Sequence, residues 1–124
     1  MEESHKKMTP QEMEERLIEF SSRVIALVEA LPKSLTAKHL GGQLIRSGTA
    51  PALNYGEAQA AESREDFIHK MKICLKELRE TLVCQKIIAR QAWFAENKLA
   101  PLLAENNELI SIFVVSIKTA LNKK

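Results

Sequence analysis

Five cations recur on one side of a long segment whose apolar spacing is that of a helix. They are Lys72, Lys76, Arg79, Lys86 and Arg90. At 100° per residue their side chains fall within about 80° of one another, interrupted by Val83. The stripe spans about 27 Å at 1.5 Å per residue, long enough to follow a nucleic-acid backbone without reading its sequence. The alternative is a solvated face without a ligand, and no aromatic lies among the cations to stack on bases.

Residue patterns for catalysis or metal binding are largely missing. A di-iron site in a helical bundle needs inward Glu residues and two copies of Glu-x-x-His, whereas here Asp66-x-x-His69 comes nearest and occurs once. Gly41-Gly42 lacks the Lys-Ser/Thr of a phosphate-binding loop, and the two cysteines, ten residues apart, form no zinc signature. We therefore expect a protein that is not an enzyme, with no catalytic residues, no cofactor and no metal.

Composition indicates one ordered, largely helical domain. The chain has 124 residues, 45% hydrophobic and 27% charged, with only four Gly and four Pro, so residues 1–124 are expected to form a single domain with 1–8 as a disordered tail. No apolar run reaches the ~20 residues needed to cross a bilayer, and no secretory signal is recognisable. These features, with few cysteines, predict a cytoplasmic protein without a membrane partner.

Four helices are predicted, over residues 10–31, 35–62, 64–92 and 101–121. Three starts carry side chains that can accept from the first free backbone N–H groups: Thr9 with Glu12, Ser34, and Ser63 with Asp66. Pro101 is placed as the first residue of the fourth helix, where a missing N–H costs nothing. Short connections then favour an all-α, antiparallel up-down-up-down four-helix bundle.

The second predicted helix contains Pro51 among small residues. Pro51 has no N–H for the Ser47 carbonyl and pushes Ala50 away from helical geometry, so we expect a kinked second helix. The alternative is a loop between two short helices. A helical face that continues from Leu44 to Tyr55 through the proline favours the kinked helix.

Apolar residues outside the predicted core stripes indicate self-association. The core stripe of the third helix is predicted as Phe67, Met71, Cys74, Leu78, Leu82, Gln85 and Ala89. Apolar residues outside this stripe and outside that of the fourth helix are Ile73, Ile87, Ile88, Ile112 and Val115. Because a monomeric bundle has no need of a second apolar strip, we expect these five residues to form an oligomer interface.

The stretch from Gln43 to Ala58 resembles a family motif that reads roughly Gln-Leu-x-Arg-x-x-x-Ser-x-x-x-Asn-x-x-Glu-Gly. The motif positions singled out here are Gln43, Arg46, Asn54 and Glu57. The first three match, Ala50 stands at the motif's serine, and Gly56-Glu57 replaces its Glu-Gly. Ser63 to Phe67, and Glu77 with its neighbours, resemble the third helix of the same proteins. The family is that of bacterial four-helix-bundle proteins encoded in intervening sequences of large-subunit ribosomal RNA genes.

The resemblance implies a ring-like homopentamer with no established enzymatic activity. A similar accessory protein of diversity-generating retroelements is a basic pentamer, which implies RNA or DNA and a reverse transcriptase as partners. Two functions stay open: a homo-oligomeric nucleic-acid-associating accessory factor, or a structural or protein-interaction module that binds no nucleic acid. Arg46 and Asn54 either contact nucleic acid or satisfy carbonyls freed at Pro51.

Overall fold

The protein is a bundle of four helices joined by short connections. A computed structural model describes residues 8–123, so the predicted disordered tail lies, apart from Met8, outside the described residues. The helices are α1 (Pro10–Glu29), α2 (Leu35–Gln59), α3 (Arg64–Ala89) and α4 (Glu96–Asn122). Each packs against its neighbours in chain order, and α4 returns to α1, so the predicted all-α up-down-up-down bundle is confirmed.

Three of the four helix starts are those predicted from capping residues. The Thr9 hydroxyl accepts from the Glu12 N–H at 3.1 Å, and the Glu12 carboxylate accepts from the Thr9 N–H at 2.9 Å. At the starts of α2 and α3 the hydroxyls of Ser34 and Ser63 accept from the N–H groups of Ala37 and Asp66. These contacts join residues three apart, so they form as soon as the first turn does and define where each helix begins.

The fourth start was predicted wrongly. Helix α4 begins at Glu96, five residues before Pro101, and its N-cap residue Ala95 makes no side-chain hydrogen bond. The Pro101 ring therefore lies in the second turn of α4. Helix α3 ends at Ala89, and Ala92 in the connection has a φ of 59°, which turns the chain into α4.

All four helices bury residues at spacings of three and four, with an average period close to 3.5. In α3 the buried series is Met71, Cys74, Leu78, Thr81, Gln85 and Ile88. The predicted core stripe followed the 3.6-residue period of a straight helix and drifted off this series, so Phe67 and Leu82 are only partly buried and Ala89 is exposed. A 3.5-residue seam is what helices wound around one another share.

Helix α2 runs without a break through Pro51, so the alternative of a loop between two short helices is wrong. Pro51 is buried, and its carbonyl accepts from the Cys74 thiol of α3 at 3.6 Å. The predicted kink stays a prediction. The proline is thus accommodated inside a helix that packs on both sides, against α1 and α3.

Two glycines allow α1 to approach α2 closely. A Cβ added at Gly48 would lie 2.7 Å from Val24 Cγ1, and one added at Gly41 would lie 3.1 Å from Leu31 Cδ1. The Ser21 hydroxyl, next to this contact, lies 3.4 Å from the Gly48 carbonyl oxygen. The close approach explains Gly48 as a residue that the fold itself requires, whereas a side chain at Gly41 would press only on the flexible end of Leu31.

Helix α4 is the most apolar of the four. By length and composition alone it could cross a bilayer, with a mean hydropathy of 1.2 in its most apolar window. In the structure it packs against α3 and α1 and buries Leu102, Leu109 and Phe113, among others. The predicted absence of a membrane partner stays a prediction.

Candidate nucleic-acid interface

The basic stripe of α3 is exposed along its whole length. Lys72, Lys76, Arg79, Lys86 and Arg90 are all exposed, and none of them makes an ion pair with another residue of the range 8–123. Lys86 lies in the last turn of α3 and Arg90 is its C-cap residue, where a cation complements the helix dipole. Lys72, Lys76 and Arg79 have no such local role, so no contribution of their charges to the stability of the helix is evident.

The opposite flank of α3, which faces α2, has paired charges. Arg46 of α2 bonds Glu77 at 3.3 Å and also Glu80, and it donates to the Gln43 side chain at 3.2 Å. Lys70 bonds Glu57 of α2 at 2.7 Å. Of the charges on α3, those toward α2 hold the two helices together, whereas those of the basic stripe are left for solvent or a ligand.

This pairing gives the motif residues structural roles. Arg46 bridges to α3 and is also held by the Gln43 side chain on its own helix, so Arg46 does not satisfy carbonyls freed at Pro51, as one alternative had it. Asn54 donates to the Ala50 carbonyl at 3.0 Å, beside the proline. Sequence reasoning missed the partners of Arg46 because they lie 31 and 34 residues away, on another helix.

Helix α4 adds a cation that the sequence pattern did not single out. Lys118 is exposed and lies on the side of α4 away from Glu105, which bonds Arg16 of α1 at 2.7 Å. Since α1 and α3 flank α4 on opposite sides, Lys118 is on the α3 side. The antiparallel pairing of Gln85 with Asn106 places it level with the early part of the stripe. Lys118 is therefore a cation on the α4 side of the groove between α3 and α4.

The apolar residues predicted to form an oligomer interface fall into three environments. Ile88 has no exposed surface and belongs to the buried seam of α3, so its place in the predicted interface is wrong. Ile73 and Ile87 lie seven residues to either side of Glu80, on the flank of α3 that faces α2. Ile112 lies seven residues after Glu105, on the flank of α4 that faces α1, with Val115 farther outward.

Ile112 and Val115 line an open groove between α1 and α4. The groove has a volume of about 1020 Å³, and its other apolar lining includes Met13, Phe67 and Phe113. It lies where the bundle is least closed, since α1 contacts α4 over fewer residues than any other neighbouring pair. Ile87 is 44% exposed and Val115 62% exposed, so both flanks present apolar surface to solvent.

The cysteine and histidine side chains of the described residues do not form a site: the two cysteines are buried and the two histidines are exposed. Burial raises the pKa of the Cys74 thiol to about 12 and also raises that of Cys84, so both thiols stay protonated and donate to carbonyls of α2. His39 and His69 are exposed. Within residues 8–123 no three His, Cys, Asp or Glu side chains come together as a metal site.

The fold and this surface define a class: a small four-helix bundle with an exposed basic stripe on one helix and an interhelical Gln-Arg-Glu network on its neighbour. Residues 11–114 match the family model of the 23S rRNA-intervening sequence proteins, and the chain belongs to this family. No curated protein matches it.

A solved structure of the same kind supports the assignment. The chain is similar to a protein of unknown function from the S23 ribosomal protein family of Bacteroides thetaiotaomicron, whose crystal structure was determined at 1.70 Å resolution. The two share 28% sequence identity with a TM-score of 0.82, over 90% of this chain and 99% of the other. The fold and the family are thus shown.

Proposed function

We propose that this protein is a non-enzymatic accessory factor that forms a homo-oligomer, a ring of five subunits, and binds the phosphate backbone of RNA or DNA through the basic stripe. One observation carries the nucleic-acid part: five exposed cations along one flank of α3 have no carboxylate partner within residues 8–123, while cations on the other flank are paired. The association of the family with 23S rRNA supports nucleic acid as the ligand class.

The ring is supported by where the apolar residues lie. Ile73 and Ile87 are on the α2 side of the bundle, and Ile112 and Val115 are on the α1 side of α4, which is the opposite flank. An interface between two different patches of the same chain builds head-to-tail assemblies, and these close into rings when the rotation allows. The basic stripe lies between the two flanks and stays accessible in such a ring.

The assembly prediction concerns Ile87→Glu. Light scattering of the wild type should give a particle of about five times the 14.0 kDa chain, and Ile87→Glu should shift it toward the monomer, since a buried carboxylate would lack a partner. Val83→Glu, within the basic stripe of the same helix and 57% exposed against 44% for Ile87, is the control and should leave the mass unchanged. A 14 kDa wild-type particle would contradict the proposal.

The nucleic-acid prediction concerns Lys76→Glu with Arg79→Glu. If one subunit neutralises three to five phosphates of a duplex, the logarithm of the binding constant should fall with the logarithm of salt with a slope of about −2.7 to −4.5. The double variant should weaken binding at least ~10-fold at about 50 mM salt, because it removes two contacts and adds two repulsions. Anisotropy titrations with random duplex RNA and DNA measure both effects.

The control for this experiment carries the same charge change elsewhere. Lys33→Glu with Lys38→Glu alters two exposed lysines near the turn between α1 and α2, away from the stripe. This variant should bind like the wild type apart from the general effect of net charge. If both double variants bind alike, the stripe is a solvated face, and the protein is a structural or protein-interaction module without nucleic acid.

A further inference from the structure

The outer side of the α1–α2 pair carries apolar residues that the monomer does not use. Ile18 and Ile25 of α1 are 44% and 40% exposed, and Ile45 of α2 is 36% exposed. The packing that sets Val24 on Gly48 brings Ile25 level with Ile45, and Ile18 level with the partly buried Ala52. Ile18, Ile25, Ile45 and Ala52 therefore form one continuous surface, the α1–α2 face, on the side of the bundle opposite α3 and α4.

Packing within the monomer does not require the two glycines on this face. A Cβ added at Gly42 or Gly56 would meet nothing within 4 Å, in contrast to Gly41 and Gly48, which lie against α1. Each exposed glycine inside a helix costs about 1 kcal/mol relative to alanine. Gly42, Ile45, Thr49, Ala52 and Gly56 follow one another at spacings of three and four, the repeat that faces a second helix.

The face also has a charge pattern. Glu14 and Glu15 precede Ile18 by one turn, are exposed, and make no ion pair within residues 8–123. At the other end the face deepens into a pocket of about 580 Å³, whose lining includes Ile45, Lys33, Lys38 and the acidic Glu29. The face thus has two carboxylates at one end and charges of both signs at the other, with apolar and small residues between.

We propose that the α1–α2 face binds a single amphipathic helix of another protein. That helix lies in the groove between α1 and α2, packs its apolar seam on Ile18, Ile25 and Ile45, and approaches closely over Gly42 and Gly56. Lys or Arg residues flank the seam where it passes Glu14 and Glu15. The surface is distinct from the basic stripe and from both flanks assigned to the ring, so a subunit can hold this partner while assembled on nucleic acid.

A pair of synthetic peptides tests the proposal on the intact protein. Each has about three heptads with Ala and Leu at the seam positions, and the two differ only in flanking Lys or flanking Glu. In fluorescence anisotropy the Lys peptide should bind the wild type at least ~10-fold more tightly than the Glu peptide. Glu14→Lys with Glu15→Lys should remove that preference. Equal binding of the two peptides to the wild type, or binding of neither, overturns the proposal.

The glycines give a second, independent measurement. Gly42→Leu with Gly56→Leu should fold at least as stably as the wild type, because both sites are open, yet bind the Lys peptide at least ~10-fold more weakly. Lys76→Glu with Arg79→Glu should bind the peptide normally, which separates this proposal from the nucleic-acid one. If Ile25→Glu lowers the particle mass, the face lies between copies of this chain and the partner-helix proposal is wrong. The proposal is also wrong if Gly42→Leu with Gly56→Leu binds the Lys peptide as tightly as the wild type does.

Discussion

Gly48→Ala should destabilise the bundle even though alanine is the better helix former. The added Cβ would lie 2.7 Å from Val24 Cγ1 and 2.9 Å from Val24 Cγ2. Valine has one strongly preferred rotamer in a helix, so its methyl groups cannot turn aside and α1 must move away from α2. We expect a net loss of about 1–3 kcal/mol in the free energy of unfolding, despite the ~1 kcal/mol gained in helix propensity. Urea unfolding followed by circular dichroism measures it.

Gly56→Ala is the matched control, because it makes the same change eight residues away in the same helix. Its Cβ meets nothing within 4 Å, so this variant should gain up to ~1 kcal/mol. Val24→Ala placed in the Gly48→Ala background should recover part of the loss, since it removes the two methyl groups that clash. If the two glycine variants change stability in the same direction, α1 does not approach α2 as closely as the structure has it.

Features of the fold that depend only on residues close together in the sequence could be predicted from it. The caps at Thr9, Ser34 and Ser63 each join a side chain to a backbone N–H three residues on, so the residue types alone reveal them. The start of α4 was missed because Ala95 offers no capping atom and because a proline is expected at the first position of a helix, whereas Pro101 lies in the second turn. Where no local signal exists, the boundary is set by packing.

The phase of the core required information that single helices do not carry. The seam of α3 contains Thr81 and Gln85, both buried, so its hydrophobic pattern is interrupted at the positions that decide between periods of 3.5 and 3.6. Because of this interruption, Ile88 was predicted to lie on the surface, whereas it is buried in the core. The five cations lie far enough from the core stripe that the wrong period did not change their predicted exposure, and all five are exposed.

The candidate site was accessible only in part for the same reason. The stripe lies on one helix, so its spacing is visible in the sequence, whereas Lys118 joins it from α4 through antiparallel packing. The role of Arg46 depends on Glu77 and Glu80, which only the pairing of α2 with α3 brings near. The apolar α1–α2 face likewise arises from two helices, and each contributes too few exposed residues to be noticed alone.

Asn106→Ala should cost about 2–4 kcal/mol of unfolding free energy, a large effect for a polar residue. Asn106 is fully buried, accepts from the Gln85 amide at 2.9 Å and donates to the Leu78 carbonyl at 3.0 Å. Gln85 Oε1 already has no hydrogen-bond partner within residues 8–123. Removing Asn106 leaves the whole Gln85 amide unpaired in the core and opens a cavity beside it. Chemical denaturation of the purified variant gives the magnitude.

Gln85→Leu added to Asn106→Ala separates the polar cost from the cavity. Together the two changes keep the combined side-chain volume nearly constant and remove every buried amide of the pair, so no unsatisfied group remains. The double variant should therefore be at least ~1 kcal/mol more stable than Asn106→Ala alone, although it carries one more substitution. If stability instead falls further, packing at Gln85 outweighs its hydrogen bonding. Recovery would mean that the unpaired Gln85 amide, and not the lost volume, carries most of the cost of Asn106→Ala.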